Sequence, residues 1–161
     1  MPTKQAIVTG TLVAGTLDLL SAFVFSAMPG GDVSQFAENF DPAKVLRGVA
    51  SGPFGDAMAG GGAGAAMLGL VTHYVLMMVI VTVFVLAAKR IPYLTRQSVT
   101  SGLGYGLLVY LVMYWIVLAN RFPGIAARIG TPWGICNALV SHLLLVGLPI
   151  GMITARELRR R

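Results

Sequence analysis

The sequence predicts an all-α, multi-pass membrane protein with four transmembrane helices in a bundle and a short amphipathic interfacial helix. Of its 161 residues, 56% are hydrophobic and only 11% are charged, whereas soluble domains carry about 25% charged residues. Four apolar runs have about the length that crosses a bilayer as a helix. The alternation that is typical of transmembrane β-strands does not occur in these runs.

The four predicted spans cover about residues 5–28, 64–88, 99–119 and 133–155. Each is expected to be a helix, because a helix satisfies the backbone hydrogen bonds of its own segment inside lipid. The spans leave no room for a separate soluble domain, so residues 1–161 are expected to form a single membrane domain. The first run resembles a secretory signal, but its length and the central Asp18 favour a retained span.

The long connection between the first two spans predicts a short amphipathic helix over residues 42–51. Asp41 can cap this helix, and Pro42 suits its first position. Its apolar side is formed by Val45, Leu46 and Val49. Such a helix is expected to lie in the membrane interface. The glycine-rich stretch that follows is compatible with a re-entrant turn, a tightly packed helix start or a flexible linker.

The distribution of Lys and Arg predicts the orientation of the chain. Four spans place both termini on one side, together with the connection between the second and third spans. That side carries Lys4, Lys89, Arg90, Arg96, Arg156, Arg159, Arg160 and Arg161. The other side carries Lys44, Arg47, Arg121 and Arg128. Because basic residues collect on the cytoplasmic side, both termini are expected to be cytoplasmic.

The net charge of +6 does not indicate a nucleic-acid partner, because the bases flank apolar runs and form no separate basic patch. The expected partners are the lipid bilayer and other membrane-protein subunits. The single cysteine, Cys136, excludes an intramolecular disulfide and a cysteine-rich metal site.

Asp18 is the most informative polar residue, because a carboxylate near the bilayer centre is costly. It shares one side of the first span with small or weakly polar residues, which mark helix contacts in membranes. These neighbours are Thr11, Ala14, Gly15, Ser21 and Ala22. Asp18 is therefore expected to point at other helices.

The chain's two histidines, His73 and His142, lie at a depth similar to that of Asp18. Each of the three residues is about ten positions from the outer end of its predicted span, or about 15 Å deep. They are expected to form an intramembrane polar cluster. Tyr110, Tyr114 and Asn137 are possible supporting residues of this cluster.

Glycine and proline add two expectations for the last two spans. Gly102 and Gly106 begin a four-residue repeat in the third span, and this pair favours close helix contact. Pro149 is expected to bend the fourth span near the carbonyl of Leu145, four residues earlier.

Three functions stay open for the polar cluster. In the first, the protein is a non-enzymatic accessory or structural subunit, and the cluster ties its helices together. In the second, it transports protons, ions or a solute. In the third, His73 and His142 ligate haem b or a metal ion. The favoured expectation, however, is that the protein binds no cofactor. No catalytic residue is assigned, because Ser141 and His142 are adjacent on a helix and diverge by about 100°.

Four segments resemble small bacterial inner-membrane proteins of the YagU-like kind. They are "GTLDLL", "GVASGPFGDAMAGGGAGAAMLGLVTHY", "GLGYGLLVYLVM" and "SHLLLVGLPIG". The resemblance implies a bacterial inner-membrane location. It supplies neither an activity nor ligand residues, because the family has no settled activity.

Overall fold

The computed structural model describes residues 2–122 and 130–159 and contains four helices that are long and apolar enough to cross a membrane. These spans are Pro2–Ser26, Ala63–Arg90, Ser98–Arg121 and Pro132–Arg159. The described residues contain no strand. The predicted all-α fold with four membrane-spanning helices is therefore confirmed. Three bases used for the orientation, Arg128, Arg160 and Arg161, lie outside the described residues.

The helices extend by a few residues beyond most of the predicted ends. The second span continues through Lys89 and Arg90, and the fourth continues to Arg159. Basic residues in the last turn stabilise a helix because they interact with its free carbonyls. Apolar runs therefore locate the part of a helix that lies in lipid, while the helix itself continues into its charged ends.

The predicted amphipathic helix is present and runs from Pro42 to Phe54. Its N-terminus forms as expected: an Asp41 carboxylate oxygen accepts a 2.9 Å hydrogen bond from the backbone N–H of Lys44, and Pro42 occupies the first turn. The glycine-rich stretch forms a short 3₁₀ turn, Asp56–Gly60, and the second span begins at Ala63. The location of the amphipathic helix in the membrane interface stays a prediction.

Two compact units divide the chain, and the first contains the described residues up to Asp18 and from Met77 onward. All four spans contribute to this unit. Its core consists of Ala6, Ala14, Met77, Val81, Phe84, Val85, Ala88, Val146 and Ile150. Where the first and second spans meet, a Cβ added to Gly10 would lie only 2.9 Å from a methyl group of Val81. Small residues thus permit close contact here, as is common in membrane helices.

The second compact unit covers Leu19–Leu76. It contains the end of the first span, the amphipathic helix and the start of the second span. Gly69 of the second span touches the backbone of Leu46, so that a Cβ at position 69 would overlap the Leu46 carbonyl. This contact fixes the amphipathic helix against the second span. The expectation of a single membrane domain stays a prediction.

Large apolar side chains are exposed along all four spans. Among the most exposed are Leu12, Val79, Trp115 and Met152. In water, such a surface would be unusual for a monomeric protein. In lipid, exposure of these side chains costs no free energy, because lipid tails are as apolar as the side chains themselves.

A candidate polar cluster between the third and fourth spans

The third and fourth spans approach each other through glycines. A Cβ added to Gly102 would lie 2.6 Å from the carbonyl oxygen of Gly147. A Cβ at Gly106 would overlap the carbonyl oxygen of His142, and one at Gly151 would overlap that of Ser98. The two backbones are therefore in direct contact over more than two helical turns, as the glycine pair of the third span predicted.

This backbone contact places His142 beside two tyrosines of the third span. The rings of Tyr114 and His142 meet edge to face, with centroids 5.3 Å apart and planes at 90°. The ring centroid of Tyr110 lies 6.2 Å from that of His142 and 5.2 Å from that of Tyr114. Edge-to-face contacts between rings are favourable beyond the burial of area alone. His142 and Tyr110 are buried, while Tyr114 is half-buried.

One ring nitrogen of His142 is occupied by its own helix. Nδ1 lies 2.9 Å from the carbonyl oxygen of Ala138. A carbonyl can only accept a hydrogen bond, so Nδ1 carries a proton and donates it. In the neutral ring, Nε2 is then the atom that can accept a hydrogen bond or bind a metal.

Asp18, on the first span, lies in the same compact unit as these rings. Its carboxylate interacts electrostatically with Tyr114, and the residue is half-buried. Within the described part of the chain, no ion pair joins Asp18 to His142. Tyr114 therefore contacts His142 directly and is affected by Asp18 only through the charge of the carboxylate, while the direct pairing of Asp18 with a histidine stays a prediction. We refer to Asp18, Tyr110, Tyr114 and His142 as the polar cluster.

The third and fourth spans both depart from α-helical geometry near Tyr114 and His142. Leu111–Leu118 of the third span and Val140–Gly147 of the fourth are π-helical. Within the fourth span, the Leu148 N–H donates to the Leu143 carbonyl, five residues earlier. The π-helical segment of the fourth span ends two residues before Pro149, while the predicted bend near Leu145 stays a prediction. Proline lacks the N–H that would continue α-helical bonding, and π-helical turns are frequent at functional sites.

His73 belongs to the second compact unit. It is buried, and its ring meets that of Tyr74 at 80°, with centroids 5.4 Å apart. It lies one turn after Gly69, the residue that touches the amphipathic helix. The expectation that His73 joins Asp18 and His142 stays a prediction.

Asn137 forms a local contact within the fourth span. Its Oδ1 accepts a 3.2 Å hydrogen bond from the hydroxyl of Ser141, one turn later. The pair contributes to the polarity of this helix near His142. Whether Asn137 supports the function of the cluster stays a prediction.

Two residues of the close contact were not among the predicted site residues. Gly147 and Gly151 meet the glycines of the third span. They are four residues apart in "GLPIG", so the same small-residue spacing that singled out Gly102 and Gly106 was available in the sequence.

Comparison with known proteins does not assign the chain to a family. The chain matches no protein-family model, no curated protein and no solved structure. Its resemblance to YagU-like proteins therefore stays a prediction. Composition and four apolar helices define the class, a multi-pass membrane protein.

Proposed function

We propose that this protein is a non-enzymatic accessory or structural subunit of the membrane, in which the polar cluster holds the helices in a fixed arrangement. The observation that carries this proposal is the way His142 is bound. Its Nδ1 donates to its own helix, and its ring packs against Tyr110 and Tyr114 across a glycine contact. A histidine bound in this way joins two helices without any need to change its protonation state.

An accessory role predicts that the protein is part of a larger assembly. The tagged protein, extracted with a mild detergent or in native lipid discs, should migrate with other membrane subunits in fixed stoichiometry. The variant Gly106→Leu should lose this association, because its side chain would separate the third and fourth spans. Gly64→Leu is the matched control, since its Cβ would meet no atom within 4 Å. Recovery of the wild-type protein without any other subunit would contradict the accessory role.

Proton transport is the second candidate, and one observation favours it. The ring of Tyr114 contacts that of His142 and is affected by the charge of Asp18, and chains of acidic and histidine side chains carry protons in membrane transporters. If the protein transports protons, Asp18→Asn should preserve folding and abolish proton flux, because an amide side chain does not take up and release a proton as a carboxylate does. Flux that is absent from wild-type vesicles would remove this candidate.

We also propose a bacterial inner-membrane location with both termini in the cytoplasm. The excess of Lys and Arg at one set of helix ends supports this orientation. Reporter fusions after Arg96 and after Ser34 test it directly. The fusion at Arg96 should report the cytoplasm and the fusion at Ser34 the periplasm, and the reverse pattern would overturn the orientation.

Ligation of haem b or a metal ion by His73 and His142 stays a prediction. An absorption spectrum of the purified protein tests it, because a haem gives an intense band. If a haem is bound, His73→Ala and His142→Ala should each abolish that band. A colourless and metal-free preparation would remove this alternative.

A further inference from the structure

An apolar groove of about 470 Å³ lies in the first compact unit, between the end of the second span and the start of the third. The second span contributes Val83, Phe84 and Ala87, and the short helix Pro92–Arg96 contributes Tyr93 and Leu94. The volume is within the range of about 300–1,000 Å³ that is typical of sites for small ligands. The apolar lining indicates a ligand part that is itself apolar.

The groove follows the axis of the third span. Thr100, Gly104 and Leu108 all line it and are four residues apart, so it extends for about 12 Å along the helix. The space beside Gly104 is open, since a Cβ at this position would meet no atom within 4 Å. A long and narrow apolar ligand fits this shape better than a compact one.

Three cations follow closely, along the chain, residues that line one end of the groove. Lys89 and Arg90 follow the lining residue Ala87 within one helical turn, and Arg96 ends the short helix that contributes Tyr93. All three side chains are exposed. In the part of the chain that the structure describes, none of them forms an ion pair. The apolar groove therefore has, near one end, three basic residues that pair with no acidic side chain among residues 2–122 and 130–159.

We propose that this groove binds one acyl chain of an anionic glycerophospholipid, whose phosphate group interacts with Lys89, Arg90 and Arg96. The two parts of such a lipid match the two parts of the site, because an apolar chain would fill the groove and an anionic headgroup would lie among the cations. Basic pockets between transmembrane helices are known to bind anionic headgroups. The proposal does not depend on the role of the polar cluster.

The headgroup part is tested by lipid competition. The purified full-length protein is incubated with phosphatidylglycerol and phosphatidylcholine that carry identical acyl chains, and the retained lipids are counted by native mass spectrometry. We expect one retained phosphatidylglycerol per chain. Each of Lys89→Gln, Arg90→Gln and Arg96→Gln should lower the preference for phosphatidylglycerol by about fivefold. Lys44→Gln, on another helix, is the control and should leave the preference unchanged.

The groove part is tested by filling it. Gly104→Leu should abolish retention of this lipid, while Gly64→Leu should preserve it, since position 64 is also open but does not line the groove. If the leucine variant does not fold, Gly104→Ala provides the same comparison and should reduce the retained lipid. Retention of phosphatidylglycerol by a folded Gly104→Leu variant would overturn the assigned site. Equal retention of both lipids by the wild-type protein would overturn the role of the cations.

Discussion

The substitution Gly106→Ala tests the glycine contact on which the polar cluster depends. A Cβ at this position would overlap the carbonyl oxygen of His142 and would lie 2.9 Å from both the carbonyl carbon of His142 and the Cα of Leu143. All three atoms belong to the backbone, so no side chain can rotate away. The two spans must therefore separate. Overpacking of a tight contact typically costs about 1–3 kcal/mol, and we expect a loss of this size in the free energy of unfolding.

Gly104→Ala is the matched control for this substitution. It lies two residues away on the same helix, and its Cβ would meet no atom within 4 Å. Because alanine favours a helix over glycine by about 0.8–1.0 kcal/mol, this variant should be as stable as the wild type or more stable. Unfolding in mixed detergent micelles, followed by circular dichroism, measures both variants. If Gly106→Ala is no less stable than Gly104→Ala, the described contact is incorrect.

Three further predictions concern other parts of the chain. Gly69→Ala should expose the amphipathic helix to proteolysis, because its Cβ would overlap the backbone of that helix, whereas Gly64→Ala should not. Tyr105→Phe removes a 2.7 Å hydrogen bond to a carbonyl of the second span and should cost about 0.6–1.7 kcal/mol of unfolding free energy. The hydrogen bonds from Ser34 lower the pKa of Asp32. Ser34→Ala should therefore raise that pKa toward 3.8 in a carboxyl NMR titration.

The direction of the Asp32 pKa shift also determines how the contribution of Asp32 to stability depends on pH. A carboxyl group whose pKa is lowered in the folded state stabilises that state above its unfolded pKa. This contribution is lost as the pH falls through the lowered value. The 2.8 Å hydrogen bond from the Ser34 N–H to the Asp32 carboxylate should consequently weaken under strongly acidic conditions.

The four spans could be predicted from the sequence because hydropathy is a local property. The cap formed by Asp41 and the first-turn Pro42 could also be predicted, since both depend on neighbouring residues only. The positions of the helix ends were predicted less accurately than the spans themselves. Lys89, Arg90 and Arg159 are too polar to extend an apolar run, yet they continue the helices as charged last turns.

The sequence could not determine which side chains of the polar cluster meet, because depth along a helix does not determine rotation about its axis. The sequence predicts one level for Asp18 and His142, and the structure shows a ring contact between Tyr114 and His142. A π-helical turn is closed over five residues, so side chains beyond it rotate away from the pattern expected for 3.6 residues per turn. In the fourth span, the π-helical segment lies just before Pro149. No proline marks the π-helical segment Leu111–Leu118 in the third.

Proton flux into vesicles tests most directly whether the polar cluster is structural. The purified wild-type protein and Asp18→Asn are reconstituted separately with a pH-sensitive dye, and a potential is applied across the vesicle membrane. A protonophore added at the end provides the positive control. If the cluster serves to hold the helices together, both proteins should give the same flux as protein-free vesicles. A wild-type flux above this background that Asp18→Asn abolishes would contradict the structural role and establish the cluster as a proton path.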